Sequence, residues 1–301
     1  MVRFLTTQNL ALAMLVAPLF GGNDKNFTYL ALGDSIAFGF DPTLFPPYKP
    51  PVPVPTPDKF IGYPERVAES LHLLQSKKEV NAACPGETSG SFLDVHAPDN
   101  GCNGTQGFKK NVGLHTNYSD YTESQKDFAT SELASNKHIN LVTLSIGGND
   151  LLLLQQRCAS TATTADAFAY CVTTDLKSPT GTLAIYEGHL ATILREIRAN
   201  YQGKLILMTS YAPSADPLFV QAIAALNQVM VAVGTQFGVK FADGFTAFQI
   251  ASAPFQGDPC KAGLLIRLSP PLTSPLTCDV HPSPTGRDVL AFTVLLTNGY
   301  K

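Results

Sequence analysis

Residues 28–39 read TYLALGDSIAFG. Thr28–Leu32 has the unbroken hydrophobicity of a strand buried on both faces. Gly33, Asp34 and Ser35 then interrupt the run before a second apolar stretch begins at Ile36. One reading of the break is a turn with a helix cap, since Asp and Ser accept hydrogen bonds from free backbone N–H groups. The other is a nucleophile, Ser35, presented at the carboxyl end of a strand. The two are separated only by what the rest of the chain brings beside it.

The same kind of apolar run recurs downstream. Glu79–Ala83, Asn140–Ile146 (NLVTLSI), Lys204–Thr209 (KLILMT) and Val239–Ala242 read as further strands. Helical patterns lie between them at Tyr63–Leu74, Ser124–Ser135, Thr182–Asn200 and Pro217–Phe237. A last helix, Pro284–Leu296, begins with Ser283 as its cap and Pro284 in its first turn. Strand and helix alternating in this way imply an α/β domain, a parallel sheet covered on both faces. Neither an internal repeat nor a second domain is visible. Three irregular stretches interrupt the pattern: the proline-rich 42–57 (PTLFPPYKPPVPVPTP), the Gly/Asn/Ser-rich 84–120, and 251–280. The strand series continues across all three, so they read as surface excursions.

Bulk properties narrow the partners. The 301 residues are 45% hydrophobic and 15% charged, which suits a folded domain with a sizeable core. Net charge is −3 without a Lys/Arg cluster, which argues against nucleic acid as a partner. The opening 1–22 (MVRFLTTQNLALAMLVAPLFGG) has an early Arg and an apolar run at 10–20, the length of a signal-peptide core and too short to span a bilayer. We therefore expect a secreted or periplasmic monomer, with the mature domain over 23–301 and no spanning helix. Six cysteines agree with export. Although they permit many pairings, nearest neighbours would each staple one long loop: Cys84 with Cys102, Cys158 with Cys171, Cys260 with Cys278. Scattered histidines and the lack of CxxC or HExxH spacing imply no metal and no cofactor.

Chemistry enters at the strand ends. Were the sheet doubly wound in the order 2-1-3-4-5, the chain would reverse direction beside strand one, and ligands bind outside the carboxyl ends of strands at such a point. Ser35 follows strand one, Gly86 (in NAACPGETSGS) strand two, and Asn149 (in SIGGND) strand three. His281, in CDVHPSPTG, stands just before the last helix. These residue types suit acyl transfer: a hydroxyl activated by an imidazole, and N–H donors waiting for the oxyanion. Ser35 and Gly86 can offer backbone N–H groups and Asn149 a side-chain amide. Asp150 reads as the cap of the LLLL helix that follows.

GDS, the Gly86 turn, GGND and DVHP, in that order, resemble the SGNH or GDSL hydrolases, from about Thr28 to the end of the chain. The resemblance implies a three-layer α/β/α flavodoxin-like fold with a five-stranded parallel sheet. It further implies a serine esterase or lipase acting on small-molecule or lipid esters, with Ser35 as nucleophile and His281 as base. The oxyanion hole it implies is formed by Ser35, Gly86 and Asn149. One feature departs from that family's pattern. The acid usually stands three residues before the base, where this chain has Cys278; Asp279 is two before it. Either Asp279 or a backbone carbonyl near Cys278 would then orient His281. The displaced acid keeps a catalytically inactive lipid- or carbohydrate-binding member in view, and an acyltransferase is the other alternative. Phe38, Phe40 and Leu151 are candidates to line an acyl groove, with 42–57 as one rim.

Overall fold

The computed structural model describes residues 27–45, 54–76, 78–116, 118, 122–268 and 277–299. The expected leader at 1–22 lies outside the described residues, as does the 46–53 portion of the proline-rich stretch.

Five strands, β1 (Thr28–Gly33), β2 (Glu79–Asn81), β3 (Ile139–Ser145), β4 (Lys204–Met208) and β5 (Lys240–Ala242), form one sheet in the order β2-β1-β3-β4-β5. Every neighbouring pair is parallel. All six residues of β1 are buried, as its uninterrupted apolar run requires of a central strand covered on both faces. Two polar groups inside that core satisfy each other across the β1–β3 pair, where the Tyr29 hydroxyl meets Thr143 Oγ1 at 2.7 Å. A separate antiparallel hairpin, β6 (Leu265–Arg267) and β7 (Cys278–Pro282), falls in the stretch read as irregular. Its strands are short and not strongly apolar, so periodicity does not reveal them.

The helices are α1 (Ser35–Phe38), α2 (Tyr63–Ser70), α3 (Ser89–Leu93), α4 (Phe108–Asn111), α5 (Gln125–Ser135), α6 (Gly148–Thr161), α7 (Ala165–Lys177), α8 (Thr182–Asn200), α9 (Pro217–Gln236), α10 (Gly244–Ser252) and α11 (Pro284–Asn298). α5, α8 and α9 pack in a row, and α2 packs with α11, so that helices cover the sheet. α11 starts as its sequence predicts, with the Ser283 side chain accepting from the Gly286 N–H. α9 is long and apolar enough, by length and composition, to cross a membrane. Here its Leu226, Met230 and Val233 are buried in the core. α6 and α7 form a hairpin with a small core of its own around Leu154, Cys158 and Val172.

Three disulfides join Cys84–Cys102, Cys158–Cys171 and Cys260–Cys278, the nearest-neighbour pairing. The first ties the loop after β2, the second ties α6 to α7, and the third anchors β7.

Asp150 does not cap α6. The helix starts earlier, after Gly147, and the Asp150 carboxylate instead accepts from the backbone N–H and hydroxyl of Ser89 at the start of α3. An acid in a first turn can serve either helix end within reach, and here the neighbouring helix has the free N–H.

Gly33 closes β1 in a way no other residue can. Its φ is +134°, and a Cβ there would lie 2.0 Å from the Ser145 carbonyl oxygen. Gly33→Ala is therefore expected to destabilise the fold by more than about 3 kcal/mol, read as a lowered urea midpoint; a loss within experimental error would show that the β1–β3 junction is not close-packed.

Candidate active site

Ser35 is the first residue of α1 and is 8% exposed. The cap of α1 is Asp34, whose carboxylate accepts from the Ile36 N–H at 3.0 Å. Cap and candidate nucleophile thus fall on adjacent residues, and the Ser35 side chain is left out of the capping. Among the described residues neither its hydroxyl nor its backbone N–H has a hydrogen-bond partner.

Gly86 follows β2 with φ +86°, and a Cβ on it would sit 2.4 Å from the Asn100 carbonyl oxygen. The Asn100 N–H donates to the Gly86 carbonyl at 2.8 Å, which holds the turn. Among the described residues the Gly86 N–H is also without a partner. Asn149 lies in the first turn of α6 and is 4% exposed. Its Nδ2 donates to the Glu87 carbonyl at 3.0 Å, and its Oδ1 accepts from Asn100 Nδ2 at 3.2 Å. Those two bonds fix which way the amide faces and leave one of its N–H groups over.

His281 stands on β7, not in a loop. Side chains alternate along a strand, so Asp279, two residues earlier, shares its face. The spacing that departs from the family pattern therefore brings acid and base together. Asp279 Oδ1 is hydrogen-bonded to His281 Nδ1 and also accepts from the His281 backbone N–H at 3.0 Å. Burial pushes the Asp279 carboxyl up, but the hydrogen bond and charge of His281 outweigh it and hold the group below the usual carboxylate range. The carbonyl of Val280, between the two, is taken by the Tyr211 hydroxyl at 2.6 Å. Phe40 packs on the imidazole, with ring centroids 4.8 Å apart.

Ser35, Gly86, Asn149 and His281 all line one cavity of about 450 Å³. Phe40 and Leu151 line it as expected, whereas Phe38 does not. Phe38 is fully buried, in contact with Phe60, Phe108 and His115.

Three supporting residues were not singled out from the sequence. Gln125, at the start of α5, is fully buried and bonds both the N–H and the carbonyl of Gly33, at 2.6 and 2.9 Å. It also donates to the Glu87 carboxyl at 3.0 Å. Glu87, equally buried, further accepts from the Ser91 hydroxyl at 2.6 Å and from Asn103 Nδ2 at 3.3 Å. Arg287, on α11, donates Nε to the Pro282 carbonyl at 2.9 Å and Nη2 to Asp41 at 3.3 Å, joining the strand of His281 to the segment after Ser35. Single polar residues on a helix or in a loop look like ordinary surface positions in sequence, and only their burial marks them. Cys84, Glu87 and Cys102 cluster as metal ligands can, yet both sulfurs are consumed in a disulfide and neither can offer a thiolate.

Burial pushes the carboxyls of both Glu87 and Asp34 up to about 7. An unfolded glutamate loses its proton near pH ~4. Between that value and about 7 the fold holds a proton on Glu87 that the unfolded chain does not, so stability falls as pH rises through this window. Glu87→Gln keeps a neutral hydrogen-bonding group and removes this loss. Its urea midpoint should drop less between pH 5 and pH 8 than that of the unaltered protein; equal drops would mean that Glu87 is ionised throughout.

The model of the GDSL-like Lipase/Acylhydrolase family matches residues 31–289. No curated protein matches the sequence. Solved structures similar to this one include a phospholipase A1 from Streptomyces albidoflavus (TM-score 0.53, 17% identity, 91% of this chain and 99% of that one). An acetylxylan esterase from Geobacillus stearothermophilus gives a TM-score of 0.51 at 17% identity, covering 91% and 95%. A protein described as a GDSL-like lipase from Parabacteroides merdae gives 0.52 at 15%, covering 92% and 97%. At these identities the likeness is one of fold.

Proposed function

The chain belongs to the GDSL-like lipase/acylhydrolase family of carboxylic ester hydrolases, and we propose that it works through an acyl-enzyme formed on Ser35. His281 Nε2 takes the Ser35 proton as Oγ attacks the ester carbonyl carbon. The carbonyl π electrons move onto oxygen, and the Ser35 N–H, the Gly86 N–H and the remaining Asn149 N–H receive that charge. The imidazolium then gives its proton to the departing alkoxide. Water, deprotonated by the same imidazole, attacks the acyl carbon; the C–Oγ bond then breaks, the imidazolium returns its proton to Ser35 Oγ, and the acid is released. Asp279 keeps the proton of neutral His281 on Nδ1, leaving Nε2 free to accept, and stabilises the imidazolium.

The observation that carries this reading is His281, hydrogen-bonded to Asp279 on β7, lining the same cavity as Ser35 and Gly86, whose backbone N–H groups have no partner among the described residues. That pairing favours Asp279 over a backbone carbonyl as the orienting group, and an active enzyme over an inactive binding member. Three disulfides support an extracytoplasmic site of action, since such bonds persist in oxidising compartments.

Hydrolysis of p-nitrophenyl esters tests the assignments one by one. Ser35→Ala should lower kcat by about 10⁴-fold or more, with the urea midpoint little changed. Asn149→Ala should lower kcat about 10²–10³-fold, as expected of a lost oxyanion donor. Asp279→Asn should lower it at least about 10²-fold by disturbing the tautomer, and a loss under about tenfold would return the orienting role to a carbonyl.

A further inference from the structure

We propose that the cavity beside Ser35 is a binding site for an unbranched acyl chain of about ten carbons, walled by the α6–α7 hairpin and α9. This rests on the ester-hydrolase reading above and adds the acyl class.

Polar groups of the cavity stand at the strand ends, with the amides of Asn100 and of Gln155 on α6 besides. Away from them the lining is hydrocarbon: Leu151 and Leu154 from α6, Val172 from α7, and Phe219, Ala222 and Ile223 from α9. Leu154, Val172, Ala222 and Ile223 are nearly inaccessible from outside, although they line the cavity. They are packed side chains, so this part of the lining is a fixed apolar wall. The small core around Leu154, Cys158 and Val172, closed by the Cys158–Cys171 disulfide, keeps that wall in place.

Size and direction then choose the ligand. At roughly 30 Å³ per water-sized group, 450 Å³ accommodates about fifteen non-hydrogen atoms. An acetyl group would leave most of that space as water against leucine, valine and isoleucine, whereas a chain of about ten carbons displaces it. The proton donor to the leaving alcohol is His281 on β7, packed against Phe40. The alcohol half therefore departs on that side. Leu151 and Leu154 follow Asn149 on α6, beside the amide that would receive the oxyanion, and this assigns the wall they begin to the acyl half.

The decisive measurement is kcat/KM for p-nitrophenyl esters from acetate to hexadecanoate, with acetates of hexanol and decanol as the opposite arm. Each methylene buried is expected to raise kcat/KM about fourfold, the equivalent of ~0.8 kcal/mol, up to about ten carbons, with a fall beyond; long-chain acetates should show no such rise. Val172→Phe, and the milder Ala222→Leu should the first not fold, should cut the decanoate-to-acetate ratio at least tenfold. Calorimetry with sodium decanoate on the unaltered protein supplies a readout independent of turnover, and Val172→Phe or Ala222→Leu should weaken that binding. Acetate hydrolysed with a flat or falling chain-length series overturns the acyl site and leaves the hydrolase standing. A rise with alcohol length in place of acyl length also overturns it. Should no ester be hydrolysed, the hydrolase reading fails. In that event, decanoate binding weakened by the cavity variants upholds the hydrocarbon site, and binding they do not alter overturns it.

Discussion

One buried amide holds the strand ends in register with the loops that follow them. Gln125 takes both backbone hydrogen-bonding groups of Gly33 and gives its second N–H to Glu87. Where β1 runs out of sheet, the Gly33 N–H would otherwise be buried without a partner, while its carbonyl also accepts from the Cys84 N–H at 3.0 Å. From Glu87 the chain of contacts continues through its own carbonyl to Asn149, at the head of α6. Three segments distant in sequence are thereby fixed relative to one another by a single connected set of bonds. An oxyanion site needs such an arrangement, because its donors must be in place before charge develops.

Much of this was legible in the sequence because burial on both faces of a parallel sheet leaves an unmistakable record. β1 and β3 are nearly continuous apolar runs, and each is followed at once by small or polar residues. The sheet order and the convergence of Ser35, Gly86 and Asn149 follow from those runs and from the topology they imply. The β6–β7 hairpin left no comparable trace. It is held by the Cys260–Cys278 disulfide and by side-chain and backbone contacts to α11, none of which writes a period into the residues. The role of Asp279 was ambiguous for the same reason. Two-residue spacing reaches the imidazole only on an extended strand, and the strand itself was not visible. Gln125 and Glu87 were illegible because nothing in composition distinguishes a buried amide or acid from a solvated one.

Burial also explains the contrast between the acids of the site. At Glu87 and Asp34 lost solvation outweighs the groups that favour the ionised form, the Ser91 hydroxyl and Lys109 at Glu87 and the Ile36 N–H at Asp34, and both are pushed up to about 7. Asp279 is half-shielded but has an imidazole against it, and remains the acid that carries charge. The same carboxyl chemistry thus serves as neutral scaffolding on one side of the cavity and as an electrostatic partner on the other.

Because Asp279 and His281 ride on one short strand, their mutual geometry is a local property of a tripeptide. A shift of the hairpin would carry both side chains together and leave their contact intact. What such motion alters is the distance across to the serine. Arg287 spans that gap by gripping Pro282 on one bank and Asp41 on the other, a tether whose length fixes how far the two halves of the machinery can part.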